Sequence, residues 1–375
     1  MRLLHTSDWH LGRSFHREDL LGAQAAFADH LVETVRAEGV DAVLVCGDVY
    51  DRALPSVDAV RLYGETLTRL AGLTRVVLIS GNHDSALRLG VGADLMDAAG
   101  VHVRTDPAKV GEPVVIGDVA IYAIPYLEPE LLRQPWDLAE RSHTAVLTEA
   151  MDRIRTDAAG RTGSKVVLAH AFVTGGEPSD SERDISVGGA ANVAAGLFAG
   201  ADYVALGHLH GRQRVSETVR YSGSPLAYSF SEEHHRKGSW LVDLTGGGIR
   251  SEFVEAPVPR RLARLRGRLE ELLTSDAHER FEDHWLQITL TDTNRPEAAM
   301  ARLRRRFPHV LVLGFEPEGV VPTAARGWSE RIAQRSGPDL AADFLTEVTG
   351  EPAGRDACAL LQEAFEACRQ REAVK

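Results

Sequence analysis

The chain has 375 residues, of which 44% are hydrophobic and 26% are charged, values typical of a globular protein with two or three domains. Its formal net charge of −12 argues against non-specific binding to nucleic acid through overall charge. A local basic surface is compatible with this net charge. The N-terminus carries a histidine and an aspartate where a signal peptide needs an apolar core, and no stretch resembles a spanning helix. We therefore expect a cytoplasmic protein that makes no membrane contact.

Residues 1 to about 250 alternate short apolar runs with amphipathic segments, which is the pattern of a layered α/β domain. We predict strands at residues 2–4, 42–46, 76–79, 114–116, 119–123, 166–169, 203–206 and 240–244. Helices are expected between them, at residues 23–37, 56–70 and 144–158, the second after the start signal Pro55-Ser56. The charged run from Glu232 to Lys237 is interpreted as a solvated loop.

Two prolines within residues 254–261 interrupt this pattern and predict a domain boundary. A smaller unit follows to about residue 335, with a helix at 262–273, a strand at 285–290, a helix at 296–307 and a strand at 310–313. Two further helices are predicted at residues 340–348 and 357–371. The expected domains are therefore residues 1–255, 256–335 and 336–375.

Polar side chains follow five of the predicted strands directly. They are Asp8 and His10, then Asp48, then Asn82 with His83 and Asp84, then His170, and finally His208 with His210. Because the carboxyl ends of parallel strands meet at one edge of a sheet, we expect these side chains to converge there. Singly, each has an ordinary structural interpretation as a cap, a turn or a buried histidine. Their repetition after successive strands favours a common site.

The chemistry of this set indicates a metal centre. Oxygen and nitrogen donors without thiolate suit manganese, iron or zinc. There are more donors than one ion needs, and two ions that share a carboxylate can hold both the attacking and the leaving oxygen of a phosphoryl displacement. Asp48 is the natural candidate for the shared carboxylate. Gly81, which precedes Asn82, is expected to allow a turn that other residues make only at a cost.

In their order, the motifs Asp-x-His, Gly-Asp-x-x-Asp, Gly-Asn-His-Asp, a lone histidine after a strand and Gly-His-x-His resemble the calcineurin-like metallophosphoesterase superfamily. Within it, residues 4–12 and 81–85 closely resemble the SbcD family, the nuclease subunits of bacterial SbcCD complexes. The resemblance is strong to about residue 245 and weaker beyond. It implies an α/β fold, a four-layer β-sandwich flanked by helices, with a small α+β capping domain and C-terminal helices.

For the site, the resemblance implies two divalent metal ions, with Mn²⁺ expected. One ion would be held by Asp8, His10, Asp48 and His210. The other would be held by Asp48, Asn82, His170 and His208. His83 would meet the phosphate and donate a proton to the leaving oxygen, and Asp84 would orient His83.

The resemblance also implies partners. These are double-stranded DNA ends and hairpins, an SbcC-type SMC-like ATPase bound by the C-terminal helices, and a second copy of the chain within a heterotetramer. The dimer would form through helices near residues 56–70 and 85–99. DNA phosphates would be contacted by Arg88, Arg302, Arg304 and Arg305, for which solvated helix faces are an equally good interpretation.

Three functions remain open from the sequence. The leading hypothesis is a metal-dependent exonuclease and endonuclease of an SbcCD-type complex in DNA repair, recombination and replication. The alternative is a phosphomonoesterase or small-molecule phosphodiesterase on the same scaffold, which has no need of a cap and C-terminal helices. A third hypothesis, a scaffold for an ATPase with vestigial activity, conflicts with the complete set of ligands.

Overall fold

The computed structural model describes residues 1–186, 192–245, 248–318 and 336–373. The chain divides into two compact units, one of residues 1–292 with 296–316 and another of residues 293–295 with the described residues from 317 onward. The predicted boundary at residue 335 lies outside the described residues, as do the last two residues of the predicted third domain.

Strands and helices alternate along much of the chain. The strands are β1 (Arg2–Thr6), β2 (Ser14–Phe15), β3 (Glu18–Asp19), β4 (Ala42–Cys46), β5 (Arg75–Ile79), β6 (Val101–Arg104), β7 (Val114–Ile116), β8 (Val119–Ile124), β9 (Lys165–His170), β10 (Phe172–Val173), β11 (Asn192–Val193), β12 (Tyr203–Gly207), β13 (Gln213–Arg214), β14 (Val219–Tyr221), β15 (Gly238–Thr245), β16 (Gly248–Glu255), β17 (Leu262–Gly267), β18 (Trp285–Leu290) and β19 (Val310–Phe315). The helices are α1 (Leu21–Glu38), α2 (Val57–Ala71), α3 (Ala86–Leu89), α4 (Ala93–Asp97), α5 (Pro129–Leu132), α6 (His143–Ala158), α7 (Leu269–Thr274), α8 (Ala299–Arg306), α9 (Gly337–Thr349) and α10 (Arg355–Ala373).

Two six-stranded sheets form the centre of the first unit, with the orders β16-β15-β1-β4-β5-β6 and β13-β14-β12-β9-β8-β7. In the first sheet β1, β4, β5 and β6 run parallel, and in the second sheet β8, β9, β12 and β14 do so. Helices such as α1 and α2 return the chain between parallel strands, and Ser56 caps α2 by accepting a hydrogen bond from Ala59 N. The predicted start signal of that helix is confirmed.

The first unit has four layers, which are helices, the first sheet, the second sheet and a further helix, and three apolar cores lie between them. One core packs α1 and α2 on the first sheet, a second fills the space between the sheets, and a third packs α6 on the second sheet. Strands covered on both faces need apolar residues at consecutive positions, which is why Ala42–Cys46 is an unbroken, fully buried run. The predicted fold class, an α/β four-layer sandwich flanked by helices, is confirmed.

His5 joins the two sheets in the interior. From β1 its Nδ1 accepts the hydroxyl proton of Tyr203 at 2.8 Å, and its Nε2 donates to the carbonyl of Leu206 at 3.0 Å. Both partners belong to β12 of the opposite sheet. Burial lowers the pKa of His5 to about 3, so the ring stays neutral and can donate and accept at once.

The third sheet, β17-β18-β19, is parallel throughout and carries α7 and α8. The predicted helix at residues 262–273 is wrong in its first half. Leucines at 262, 265, 269 and 272 have helical spacing, but residues 262–267 pair with β18 and only residues 269–274 are helical. Helical spacing alone therefore did not distinguish a short strand joined to a short helix from one longer helix.

The second unit contains α9 and α10, at the positions predicted for the two C-terminal helices. Ser336 caps α9 through Asp339 N, and a side chain at Gly337 would collide with the ring of Phe365 on α10. Phe344, Val348 and Leu360 have exposed fractions of 57%, 66% and 66%. Across the described residues, no helix combines the length and apolar character required to cross a membrane.

Leu303, fully buried beneath the third sheet on α8, provides a test of this packing. We expect Leu303→Ala to lower the free energy of unfolding by ~2–5 kcal/mol because it leaves a cavity. Arg305→Ala, two residues on and exposed, should change it by less than about 0.5 kcal/mol. Denaturant unfolding measures both, and equal stability of the two variants would contradict the packing described.

Candidate metal centre

The two sheets each supply part of one polar cluster. Asp8 and His10 follow β1, Asp48 follows β4, and Asn82 follows β5 in the first sheet. From the second sheet, β9 ends on His170, and β12 is followed by the remaining two histidines, His208 and His210. The expected convergence is found, but at the facing ends of two sheets and not at the edge of a single sheet.

Four of these residues have a backbone conformation that is costly for residues other than glycine. The φ angles are 54° at Asp8, 45° at His10, 47° at Asp48 and 106° at His208. Backbone hydrogen bonds hold the conformation, since Asp8 N donates to Gly47 O at 3.0 Å and His10 N to Asp48 O at 2.9 Å. Strain concentrated in this way is typical of functional sites.

Gly81 lets the turn after β5 lie against Asp48. A Cβ atom at this position would lie 2.2 Å from Asp48 Oδ1 and 2.3 Å from Asp48 N. Because the turn lies so close to Asp48, the backbone N–H of His83 can donate to Asp48 Oδ1 at 2.8 Å. The glycine is therefore required by close approach between two loops.

A first donor group consists of Asp8, His10 and His210, whose ligand atoms lie within 4.8 Å of one another. The Nε2 atoms of His10 and His210 face each other at 3.1 Å. Tyr228 packs its ring edge-on to both imidazoles, with centroids at 5.2 Å and 5.6 Å, and its hydroxyl donates to the carbonyl of Trp9. The two imidazoles are thus held in place from one side.

A second donor group surrounds the side-chain oxygen of Asn82. His170 Nε2 lies 2.9 Å and His208 Nδ1 lies 3.2 Å from Asn82 Oδ1. His170 Nδ1 lies 2.9 Å from the carbonyl of Cys46 and donates its proton there. Nε2 of this neutral ring therefore keeps its lone pair on the side of the cluster.

Asp48 lies between the two groups. Its Oδ2 is 3.5 Å from Nε2 of His170 in the second group and 3.7 Å from Nε2 of His10 in the first. Only 1% of Asp48 is exposed. The structure therefore brings one carboxylate oxygen of Asp48 close to imidazoles of both groups.

The electrostatics of the cluster fit divalent cations. Burial raises the pKa of Asp8, and the charge of Asp48 adds to the effect, while burial also raises the pKa of Asp48 itself. Burial and neighbouring imidazoles lower the pKa of His10 and His208, and burial lowers that of His170 to about 4. Among the described residues, His10 Nδ1 and Asn82 Nδ2 are buried without hydrogen-bond partners. Cations would stabilise the carboxylates and bind the neutral imidazoles.

His83 and Asp84 are arranged differently from the prediction. His83 Nδ1 donates to the carbonyl of Asp51 at 2.9 Å, which leaves Nε2 free. The Asp84 carboxylate instead accepts the backbone protons of Gly81, Val49 and Tyr50 at 2.9–3.1 Å. Any orientation of His83 by Asp84 would therefore act through the backbone, because this carboxylate joins the loop after β4 to the turn after β5.

Sequence reasoning missed the segment that lies beside His210. Ser181 Oγ lies 2.5 Å from His210 Nδ1, and Glu182 Oε1 accepts the backbone proton of His210 at 2.7 Å. Arg183 donates to the carbonyl of Asn82 at 3.4 Å, and Arg13 donates to the carbonyl of Ser181 at 3.1 Å. This segment follows no predicted strand directly, so the pattern that revealed the other groups could not reveal it.

The four arginines predicted to contact phosphate lie outside this cluster. Arg88 is exposed on α3. On α8, Arg302 forms an ion pair with Glu270, Arg304 donates to the carbonyl of Val310 at 3.5 Å, and Arg305 is exposed. Arg302 thus already has an acidic partner in the free protein.

A layered α/β fold with carboxylate, amide and imidazole donors at its strand ends is typical of metal-dependent hydrolases. The family model described as calcineurin-like phosphoesterase matches residues 1–212, more than half of the chain, and the chain belongs to this family. The model SbcD_C, described as the type 5 capsule protein repressor C-terminal domain, matches residues 258–349.

Solved structures similar to the chain include a Thermus thermophilus protein, at 14% identity and TM-score 0.40 over 67% of this chain and 98% of that one. The Bacillus subtilis calcineurin-like phosphoesterase YfkN matches at 13% identity and TM-score 0.37, over 68% and 90%. A dimetal phosphatase from Danio rerio matches at 14% identity and TM-score 0.39, over 68% and 99%. The family assignment depends on the match over residues 1–212.

We expect Gly81→Ala to destabilise the protein by ~1–3 kcal/mol, because the added methyl group would overlap Asp48. Gly22→Ala is the matched control, since a Cβ in the first turn of α1 meets nothing within 4 Å and alanine favours the helix. Thermal unfolding measures both variants. A Gly81→Ala protein as stable as the Gly22→Ala protein would refute the close approach.

Proposed function

We propose that the chain is a dimetal phosphodiesterase that cleaves DNA, the nuclease subunit of an SbcCD-type complex. The position of Asp48 between two donor groups carries the chemical part of the proposal. The match of residues 258–349 to SbcD_C supports the choice of DNA over a small ester. The proposed domains are those expected from the sequence, residues 1–255, 256–335 and 336–375.

In this proposal two divalent cations, with Mn²⁺ as the expected metal, are held by the residues that the sequence nominated. Asp8, His10 and His210 would hold one ion, Asn82, His170 and His208 would hold the other, and Asp48 would contribute to both. When bound, such ions supply Lewis acidity at the phosphate and lower the pKa of coordinated water. Residues of this chain would orient the substrate and donate a proton to the leaving oxygen.

His83 is the proposed proton donor to the leaving oxygen. Its Nδ1 is anchored on the carbonyl of Asp51, so its Nε2 is the ring atom available to a substrate. The backbone N–H of His83 donates to Asp48 Oδ1, which keeps the residue next to that carboxylate. Asp84 would stabilise the position of His83 indirectly, because its carboxylate accepts the backbone protons of Gly81, Val49 and Tyr50.

Exposed apolar side chains support the proposed partners. On and beside α2, α3 and α4 they are Leu54, Val57, Val60, Leu87, Val91 and Leu95, with exposed fractions of 46–85%. Exposed apolar side chains are frequent at protein interfaces, and a second copy of the chain is the proposed partner that covers these. On α9 and α10, Phe344, Val348 and Leu360 are the proposed contacts to an SbcC-type ATPase.

The nuclease proposal predicts cleavage of labelled linear and hairpin duplex DNA in Mn²⁺, abolished by EDTA. His83→Ala should lower the rate by ~10²–10⁴-fold because it removes the proton donor. His234→Ala is the matched control, since this imidazole is 87% exposed. Gel assays of end-labelled DNA measure the rates.

Two outcomes would contradict this prediction. Hydrolysis of p-nitrophenyl phosphate with all DNA left intact would favour the phosphomonoesterase alternative. Absence of turnover on every ester, with metal bound and an SbcC-type ATPase present, would favour the scaffold.

The shared role of Asp48 predicts how metal binding responds to substitution. Asp48→Ala should weaken both Mn²⁺ sites, because its second oxygen faces imidazoles of both donor groups, whereas His210→Ala, which removes a donor of the first group alone, should weaken one. Isothermal titration of the metal-free protein with Mn²⁺ measures the number and affinity of sites. Two sites of unchanged affinity in Asp48→Ala would refute the shared role.

The proposed homodimer predicts that charges on the exposed apolar surface separate the copies. Leu87→Asp combined with Leu95→Asp should reduce the mass by light scattering from twice 40.8 kDa to 40.8 kDa. Leu131→Asp is the matched control, since Leu131 is 71% exposed but lies on α5. A dimer that persists in the double variant would exclude this surface as the interface.

A further inference from the structure

The charged run from Glu232 to Lys237, interpreted from the sequence as a solvated loop, is partly buried. Glu232 is 1% exposed and Lys237 is 4% exposed. The two side chains form an ion pair, and Lys237 Nζ also donates to the carbonyl of His210 at 2.8 Å. A buried ion pair costs desolvation energy, so its position directly behind His210 requires an explanation.

A continuous chain of hydrogen bonds connects this ion pair to the imidazole. Ser181 Oγ lies 2.6 Å from Glu232 Oε1 and 2.5 Å from His210 Nδ1. Ser181 is 9% exposed and His210 is 1% exposed, so water competes little for these groups. On the far side of the ring, His210 Nε2 faces the other donors.

The directions of these bonds follow from the number of protons. A serine hydroxyl has one proton, and the Glu232 carboxylate is the strongest acceptor within its reach. The buried ion pair with Lys237 compensates the charge of Glu232, so Glu232 is an ionised acceptor. Because Ser181 donates to Glu232, it must accept from His210, and Nδ1 of His210 must carry the proton.

We propose that Ser181 and Glu232 are positioning residues that hold His210 in its Nδ1-protonated form and so leave the Nε2 lone pair free for a divalent cation. The effect on metal binding rests on the proposed function. The protonation of His210 at Nδ1 does not depend on it. The Glu232 carboxylate acts through the serine, and Lys237 balances its charge. The arrangement extends the metal centre to the segment around residue 181 and the loop at 232–237.

The direct test is long-range ¹H–¹⁵N spectroscopy of ¹⁵N-histidine-labelled, metal-free protein. The expected spectrum of His210 shows a protonated Nδ1 and an unprotonated Nε2. In Ser181→Ala the preference should be lost, while Ser181→Thr, which keeps the hydroxyl, should restore it. A protonated Nε2 in the wild type, or an unchanged tautomer in Ser181→Ala, would overturn the proposal.

Ser181→Ala is preferred to substitutions of Glu232 because it leaves the buried ion pair intact. Ser186→Ala is its matched control, since Ser186 is exposed and bonds to Asp184. Titration with Mn²⁺ should show one site weakened ~10–100-fold in Ser181→Ala, the cost expected for losing a group that orients a metal ligand. Ser181→Ala should also unfold at a lower temperature than the wild type, because His210 and Glu232 each lose a buried hydrogen-bond partner, and Ser181→Thr should recover both the stability and the metal affinity.

The two proposals fail in different ways. A wild-type protein that binds no Mn²⁺ would contradict the proposed function and leave the tautomer measurement to decide the inference. A wild type with two sites, both retained at full affinity in Ser181→Ala, would overturn the inference alone.

Discussion

The carboxylate of Asp48 is the charge on which the arrangement of the other donors depends. It is 1% exposed, accepts a backbone proton from His83, and has imidazole nitrogens 3.5 Å and 3.7 Å from its second oxygen. Burying an ionised carboxylate costs several kcal/mol unless the charge is compensated, and neutral imidazoles supply no full positive charge. Divalent cations would supply it. The same need accounts for the close approach at Gly81, because only a glycine lets the neighbouring turn reach Asp48.

The packing of the two sheets against each other places the other donors beside Asp48. Each of the two donor groups described above takes members from both sheets, since His210 lies against Asp8 and His10, and His170 lies against Asn82. The geometry of the centre therefore depends on the apolar core between the sheets and on the bonds from His5 to β12. Strain at four backbone positions is tolerated because strands on both sides are fixed by this core.

Much of this could be predicted from the sequence, for a physical reason. Strands buried on both faces need consecutive apolar residues, and chemistry placed at strand ends follows those runs directly, so Asp48 and His170 could be found without a structure. The strand at 262–267 could not, because its leucines satisfy helical spacing and only pairing with a distant strand decides its form. The burial of Glu232 and Lys237 could not be predicted either, because a run of charged residues is solvated unless residues distant in the sequence enclose it. Asp84 was recognised as important, but its partners proved to be backbone amides.

The most direct measurement is anomalous X-ray diffraction from crystals of the Mn²⁺-loaded protein. Two manganese peaks are expected on either side of the Asp48 carboxylate, ~3.5–4 Å apart, as in sites where two ions share a ligand. One peak would lie among Asp8, His10 and His210, and the other among Asn82, His170 and His208. A single peak, or two peaks of which one does not contact Asp48, would contradict the shared carboxylate.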